Sequence, residues 1–318
     1  MAKTVRISLL ALSAGALAGA LVLGVVVVRA GSAPDDRSPQ PDPAAVWATP
    51  SPVGDVRVTA APGGSATPGG VTGSAATPSP GRPAPADRPG ATRVGTRPPV
   101  VDHGPRTGDR VALTFDADMT DGMLANLRAG RVRSYANLRI IELLERERVP
   151  ATFFLTGKWV ERYPALTRRL AGNPGFELAN HTYGHLAFTP DCHGLPRLPG
   201  HRMTEDVART FQVVEPYGGR QTRYFRFPGL CHDAAALAAL APLGLTVVDG
   251  DVVSGDPFAT AWRPIVDAVL SKVRPGSVVI LHVTEANAAM TDEALPHILR
   301  GLRERGLTPA PLSEVLGR

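Results

Sequence analysis

The sequence predicts an α/β fold, an irregular (β/α) barrel of about seven strands that follows a transmembrane helix and a disordered proline-rich linker. Three observations predict this organisation. An uncharged apolar stretch lies near the amino terminus, 15 of the 31 prolines fall between residues 31 and 100, and short apolar runs then alternate with amphipathic segments. We therefore divide the chain into a cytoplasmic stub and anchor (1–30), a linker (31–105) and a folded domain (106–318).

The amino-terminal stretch is long enough to cross a membrane as one helix. Residues 7–28 are 22 positions without a charge, which span about 33 Å as a helix, against a hydrocarbon core of about 30 Å. A cleaved secretory signal usually has an apolar core of only about 7–15 residues, although the small residues at 30–33 offer a cleavage site. We expect a single-pass cell-membrane protein whose folded domain is extracytoplasmic. Secretion after cleavage is the alternative.

Composition restricts the partners and the structure of the linker. Proline mixed with Gly, Ser, Thr and Ala cannot bury enough apolar surface to offset the entropy of ordering, so we expect residues 31–105 to be disordered. The net charge is +5, and the positive residues are scattered. Because no basic stripe alternates with aromatic residues, we expect no nucleic-acid partner. The two cysteines can form one bridge but neither a disulfide framework nor a cysteine-based zinc site.

Beyond residue 105 the short apolar runs are predicted strands and the amphipathic segments are predicted helices. The predicted strands are 111–115, 151–155, 176–179, 224–227, 245–248 and 278–281. The predicted helices are 137–148, 159–170, 205–214, 234–243, 262–273 and 293–305. Strands that alternate with helices of this length indicate βαβ units and a parallel sheet. In such a barrel the chemistry lies where the strands end, so the polar residues after each apolar run are the candidates.

Polar residues do follow these strands. They are Asp116 and Asp118, His181 and His185, Arg226, the group Asp249, Asp251 and Asp256, and finally His282. Carboxylates and imidazoles are the components of a metal site with an acid–base pair. Alone, each has a plainer interpretation: a turn aspartate, an incidental histidine pair or a hydrogen-bonded core histidine. Their shared location at strand ends favours function, and the i, i+4 spacing of the first two histidines would point both imidazoles the same way on a helical turn.

Five motifs along the chain resemble, in order, those of the polysaccharide deacetylases, carbohydrate esterase family 4 with the NodB-homology domain. They are VALTFDAD (111–118), NHTYGH (180–185), RFPG (226–229), VVDGDVVSGDP (247–257) and VILH (279–282). The resemblance covers residues 110–318. It implies a metal-dependent hydrolase that removes N-acetyl groups from an extracytoplasmic, N-acetylated polysaccharide such as peptidoglycan or a chitin-like chain. An O-acetyl esterase acting on acetylated xylan and a catalytically silent glycan-binding module are the alternatives.

The same resemblance implies a role for each candidate residue. In chain order, Asp116 is the base, His181 and His185 bind a divalent cation (usually Zn²⁺), Arg226 holds Asp116, the Gly229 N–H faces the oxyanion, Asp256 orients His282, Leu281 lines the acetyl pocket, and His282 is the acid. Such a site suits amide hydrolysis. A cation polarises the carbonyl and lowers the pKa of the attacking water, and the amine leaves only when an acid protonates it.

The sequence departs from the family pattern in two places. The family has two adjacent aspartates in the first motif, whereas here Ala117 separates Asp116 from Asp118. We expect Asp118 to be the third cation ligand, because residues two apart on an extended strand point to the same side. Pro257 occupies the position of a tryptophan in the fourth motif. Because this region aligns poorly, Asp249 or Asp251 remains an alternative partner for His282.

The two cysteines lie close to these motifs. Cys192 follows the second motif, and Cys231 follows Gly229, so both are expected on the catalytic face. In an oxidising compartment we expect a disulfide between them that braces two active-site loops. Two unpaired buried thiols, or a second metal site with His193 and His232, are the alternatives.

Overall fold

Parallel strands and helices alternate along residues 95–317, the part of the chain that the computed structural model describes. The strands are β1 (Val100–Val101), β2 (Arg110–Ala117), β3 (Ala151–Leu155), β4 (Phe176–Asn180), β5 (Arg220–Phe225), β6 (Thr246–Val248), β7 (Val252–Val253), β8 (Val278–His282) and β9 (Thr308–Pro309). The helices are α1 (Asp121–Arg128), α2 (Leu138–Arg146), α3 (Gly157–Arg162), α4 (Pro164–Gly172), α5 (Met203–Val214), α6 (Ala234–Leu240), α7 (Trp262–Leu270), α8 (Thr291–Glu304) and α9 (Leu312–Val315).

The strands form one curled sheet. Its order is β1-β6-β5-β4-β3-β2-β8-β7, with β9 paired to β2, and every pair of strands is parallel. β6 and β7 lie near opposite ends of this order, yet only residues 249–251 separate them in the chain. Three residues span roughly 10 Å at most, so the sheet must curl back on itself. The result is a parallel β/α half-barrel, which confirms the predicted fold class in its general form.

Alternation along the strands separates an outer core from the barrel interior. In β2, Val111, Leu113, Phe115 and Ala117 belong to the large core between the sheet and the helices. Ala112 belongs instead to the interior cluster, which also contains Phe154, Ala179, Tyr224, Val248 and Val278. Since successive side chains point to opposite faces, Asp116 shares the interior side with Ala112. The carboxyl end of β2 therefore aims Asp116 into the barrel mouth.

The amino-terminal end of the barrel is closed by α9. Leu312 and Val315 pack into the interior cluster, and the Leu312 N–H donates to the Thr152 hydroxyl at 3.2 Å. Glu177, on β4, is buried below this helix, and it accepts hydrogen bonds from Thr152, Arg220 and Ser313. This end of the barrel is therefore filled and hydrogen-bonded, and only the opposite end is available for a site.

The folded domain begins earlier in the chain than the sequence predicts. β1 pairs with β6 in the register Val100↔Val247, so the fold begins within the predicted linker, before residue 106. Two valines among prolines form no periodic pattern, which is why the sequence did not reveal this strand. The predicted anchor and most of the predicted linker lie outside the described residues. Among residues 95–317 there is no helix with the length and apolar character needed to cross a bilayer.

Candidate metal centre and active site

The mouth of the half-barrel brings together residues that are far apart in sequence. Nε2 of His181 lies 3.7 Å from Oδ2 of Asp116 and 3.4 Å from Oδ1 of Asp118. Nε2 of His185 lies 3.4 Å from the same Asp118 oxygen. Nε2 of His282 lies 3.9 Å from Oδ2 of Asp118. The polar residues at the C-terminal ends of β2, β4 and β8 therefore lie close together, as the sequence predicts.

The two separated aspartates of the first motif reach this point through regular strand geometry. β2 pairs with β3 and β8 in unbroken register up to its end, with Asp116 opposite His282. Ala117 is fully buried in the outer core, so strand alternation alone turns Asp116 and Asp118 to the same side. Asp118 is thus placed beside both histidines, and Ala117 is not.

The histidine pair does not lie on a helical turn, and that part of the sequence argument is wrong. Residues 181–185, which we call the metal loop, form no helix. Thr182 and His185 adopt left-handed backbone conformations with φ of 68° and 55°. With these two left-handed residues in the loop, the ring centroids of His181 and His185 lie 5.0 Å apart. Sequence spacing foresaw the proximity, but the backbone that produces it is a strained loop.

Asp118, His181 and His185 fit a tetrahedral cation. Oδ1 of Asp118 is buried without a hydrogen-bond partner, and the three ligand atoms lie within 4.8 Å of one another. Zn–N and Zn–O bonds of about 2.0–2.1 Å at a tetrahedral angle separate adjacent ligand atoms by about 3.3–3.4 Å. Both Asp118-to-imidazole distances are 3.4 Å. This oxygen lies between two imidazoles and makes no hydrogen bond, and a bound cation would satisfy it.

Electrostatics keep these groups in the forms that bind cations. Burial lowers the pKa of His185 to about 4, so its ring is neutral. Burial acts in the opposite sense on Asp118, but the neighbouring imidazoles outweigh it and hold the pKa of this carboxyl well below its usual range. Nδ1 of His181 lies 2.9 Å from the Arg226 carbonyl oxygen, which can only accept, so the proton resides on Nδ1 and leaves Nε2 free. Neutral imidazoles and an ionised carboxylate are the required ligand forms.

Asp116 is held by a buried arginine. Nη1 of Arg226 donates to Oδ1 of Asp116 at 2.6 Å, and its Nε donates to the Val248 carbonyl at 3.0 Å. The guanidinium lies 4.0 Å above the Phe154 ring and is fully buried. This packing fixes one oxygen of Asp116 and leaves Oδ2 directed toward the cation site.

His282 is held by Asp256, and not by the alternative aspartates. Its Nδ1 donates to Oδ1 of Asp256 at 2.8 Å. Burial alone lowers the pKa of His282, but the adjacent Asp256 carboxylate reverses this effect and raises the pKa to about 10. Asp251 instead accepts from the Val278 N–H at the other end of β8, and Asp249 pairs with His232 at 2.8 Å. The cationic His282 therefore points its Nε2 into the mouth as a proton donor.

A disulfide joins Cys192 to Cys231 beside the third motif, with an S–S distance of 2.12 Å. These sulfurs are bonded to each other, so they are not thiolate ligands for a second metal site. Gly229 adopts φ of 61°, and a Cβ atom there would lie 2.7 Å from Sγ of Cys192. The bridge thus packs directly against the loop that carries Gly229.

Leu281 does not face the site, contrary to the role that the resemblance implies for it. It is fully buried in the outer core beside its pairing partner Phe115. Ile280, which pairs with Thr114 on the inward side of β2, shares the side of His282 by strand alternation. Ile280 is 3% exposed, and it is the better candidate for an apolar wall near the mouth.

Comparison with known proteins identifies the family. The profile described as "Polysaccharide deacetylase" matches residues 103–248. A chitooligosaccharide deacetylase of Sinorhizobium fredii is 32% identical over 177 residues, which cover 52% of this chain and 79% of the relative. The chain belongs to the polysaccharide deacetylase family. It is accordingly an enzyme of the deacetylase class.

Solved structures of this family share the fold of the deacetylase domain. A peptidoglycan N-acetylglucosamine deacetylase is 22% identical with a TM-score of 0.57, covering 69% of this chain and 92% of that one. A family 4 acetyl xylan esterase from Clostridium thermocellum, solved with a cobalt ion, is 26% identical with a TM-score of 0.52, covering 65% and 90%. Members of this family generally depend on a metal, and in this chain Asp118, His181 and His185 form a cluster suited to one.

Several residues that support the site escaped the sequence analysis. Ser254 and Thr291 donate to the two oxygens of Asp256 at 2.8 and 2.6 Å. Asn180 accepts from the Thr182 N–H at 3.0 Å, and Asp206 accepts from the Tyr183 N–H at 2.7 Å. Asn180 directly precedes His181 and could have been suspected from the sequence. Ser254 lies two residues before Asp256, inside the fourth motif, and could have been suspected in the same way. Thr291 and Asp206 come from other elements and carry no pattern in the sequence.

Proposed function

We propose that this deacetylase removes N-acetyl groups from an extracytoplasmic polysaccharide, peptidoglycan or a chitin-like chain, with Zn²⁺ as its cation. The observation that carries the proposal is the buried triangle of Asp118, His181 and His185, with Asp116 on one side and His282 on the other. The name of the Sinorhizobium fredii relative supports an N-acetylated oligosaccharide as the substrate class. A disulfide, common in oxidising compartments, supports an extracytoplasmic location.

In this proposal the cation is held by Asp118, His181 and His185. When bound, it would polarise the substrate carbonyl and lower the pKa of the attacking water. Two neutral imidazoles and one carboxylate leave a coordination position open for substrate and water. Each ligand lies at a strand end or on a hydrogen-bonded loop, so its side chain needs little rearrangement to bind the cation.

Asp116 would act as the general base. Arg226 holds Oδ1 of Asp116, and Oδ2 is the oxygen nearer the cation site. An oxygen in that position can accept the proton of the attacking water as the tetrahedral intermediate forms. The buried guanidinium keeps the carboxylate oriented, so its reactive oxygen needs no reorganisation during the reaction.

His282 would act as the general acid. Its raised pKa, caused by the hydrogen-bonded Asp256 carboxylate, keeps it protonated at neutral pH. An amine is a poor leaving group unless it is protonated, so a positioned imidazolium completes the hydrolysis. We propose the Gly229 N–H as a backbone donor for the developing oxyanion.

The location of the enzyme is part of the same proposal. We propose that residues 7–28 anchor it in the cell membrane, and that residues 31–105 act as a spacer between the membrane and a wall-associated substrate. The support is the uncharged length of the first segment and the proline-rich composition of the second. Secretion after cleavage is the alternative that amino-terminal sequencing of the exported protein would detect.

Acetate release from a panel of glycans tests this function. The full chain would be stripped with a chelator, assayed, refilled with Zn²⁺ and assayed again on chitooligosaccharides, peptidoglycan and acetylated xylan. We expect release from N-acetylated glycans only after refilling. Release from acetylated xylan alone would favour an O-acetyl esterase, which the similarity to the Clostridium thermocellum esterase also supports. Glycan binding without acetate release would favour a catalytically silent module.

A further inference from the structure

The metal loop adopts a conformation that its own residues do not favour. Thr182 and His185 both have positive φ values, 68° and 55°, and Thr182 is β-branched, for which this region is an outlier. Such conformations persist only where the surroundings over-determine them. Because the loop carries two cation ligands, whatever holds it also sets the distance between their nitrogens.

The peptide groups of the loop are held from both sides. The N–H groups of Gly157 and Lys158, in the first turn of α3, donate to the carbonyl oxygens of Thr182 and Tyr183 at 3.0 Å. The Thr182 N–H donates to the Asn180 side chain, and the His185 N–H donates to the Thr182 hydroxyl. These side-chain acceptors belong to the loop or to the residue before it, so they move with it.

Asp206 differs from these acceptors because it lies on another element. Its Oδ1 accepts the Tyr183 N–H at 2.7 Å across 23 positions of sequence. The next residue of α5, Val207, is fully buried in the core, and its carbonyl accepts from the Asn180 side chain at 2.9 Å. Two consecutive residues of one packed helix therefore hold the residue before the loop and the middle of the loop.

The Tyr183 side chain makes a second contact between the loop and its surroundings. A Cβ atom on Gly157 would lie 2.2 Å from the Tyr183 ring, so the ring packs against bare backbone. The guanidinium of Arg209 lies 3.6 Å from the ring centroid, and Glu161 accepts from the phenol at 2.7 Å. These contacts lie on the partly exposed side of the loop, whereas Asp206 acts on its backbone.

We propose that Asp206 is a positioning residue that sets the geometry of His181 and His185 for cation binding. This inference rests on the proposed function, because it assumes that these histidines hold a cation. Without Asp206 the Tyr183 N–H loses its acceptor and the left-handed turn relaxes, so the imidazoles are no longer preorganised. Outer partners of metal ligands typically contribute about 10–100-fold to affinity, and we expect an Asp206→Ala change to weaken Zn²⁺ binding by that factor.

Two further variants make the test specific. Asp206→Asn keeps an oxygen acceptor at the same position and should restore most of the affinity. Glu205→Ala removes a carboxylate from the neighbouring position of the same helical turn, where the side chain is 72% exposed, and should bind Zn²⁺ like the unmodified chain. Zn²⁺ affinity of the full chain would be measured by competition with a chromogenic chelator. The visible spectrum of the Co²⁺-loaded protein would report ligand geometry.

The outcomes separate this inference from the proposed function. If the unmodified chain binds neither Zn²⁺ nor Co²⁺, the proposed function fails. If it binds both, and Asp206→Ala binds Zn²⁺ equally well with an unchanged Co²⁺ spectrum, the positioning role is wrong and the Tyr183 packing suffices. A lowered unfolding midpoint of metal-free Asp206→Ala with unchanged Zn²⁺ affinity would show a merely structural role and also overturn the inference.

Discussion

Two buried carboxylates at opposite ends of the barrel have opposite environments. Glu177, at the closed end, accepts from Arg220, Thr152 and Ser313, so both of its oxygens are satisfied. Asp118, at the mouth, has an oxygen without a hydrogen-bond partner between two imidazoles. A satisfied buried carboxylate stabilises a fold, whereas an unsatisfied one costs stability unless a ligand completes it. The comparison therefore separates residues that hold the barrel together from residues that do its chemistry.

The largest expected effect at the mouth is on turnover. Asp116→Asn keeps the size of the side chain and its contact with Arg226 but cannot accept the proton of water. We expect kcat to fall by about 10³–10⁴-fold, with bound metal unchanged. Acetate-release kinetics and metal analysis would measure both quantities, with Asp267→Asn on the exposed side of α7 as the control. Full activity of Asp116→Asn would remove it as the base.

His282→Ala should also lower kcat without removing the cation. We expect a loss of about 10²–10³-fold, because the leaving amine loses its proton donor while Asp118, His181 and His185 remain. The same kinetic and metal measurements apply. A metal-free variant would instead make His282 a ligand and contradict its role as the acid.

Unlike the closed end, the mouth of the barrel is also stabilised covalently, by the disulfide. The bridge spans 39 residues, and closing a loop of that length stabilises a fold by about 3–4 kcal/mol in the chain-entropy account. We expect the double variant Cys192→Ser and Cys231→Ser to lose about that much free energy of unfolding. Urea titration would measure it, and reduction of the unmodified chain should reproduce the loss. Equal stability with and without the bridge would limit it to a local role.

At the closed end the expected effect is on stability and not on turnover. Glu177→Ala leaves the partners of this carboxylate unpaired near the base of the barrel, and we expect a loss of about 2–3 kcal/mol in the free energy of unfolding. The kcat of the folded fraction should stay unchanged, and Glu205→Ala is the exposed control. A large drop in kcat of fully folded Glu177→Ala would contradict the division between the two ends.

The smallest expected effect is a pH dependence at the rim of the mouth. The hydrogen bond to Asp249 raises the pKa of His232 above its ordinary value of about 6.5. Protonated His232 thus stabilises the fold fully below about pH 6.5, and the contribution disappears as pH rises through the higher folded pKa. Unfolding midpoints of the unmodified chain and His232→Gln should differ most at low pH and converge at high pH. A difference that grows with pH would reverse the assigned sign.

The alternation of strands and helices, and the location of the polar residues at strand ends, could be predicted from the sequence alone. Hydrophobic runs are local, so β2, β3, β4 and β8 could be predicted close to their observed bounds, whereas the two-residue strands β1, β7 and β9 carry too little pattern. Strand alternation also predicted that Asp118, and not Ala117, would lie beside the histidines. The five motifs supplied the family resemblance.

Which residues contact one another depends on the tertiary fold. The left-handed metal loop, the choice of Asp256 over Asp249 and Asp251, the outward side of Leu281 and the contact from Asp206 all depend on how distant elements pack. Sequence patterns report the period of a single element, whereas the hydrogen bonds of Asp206 and Asp256 join residues 23 and 26 positions apart on different elements. These contacts form because the packing of the curled sheet and its helices determines which strand ends and helix turns become neighbours.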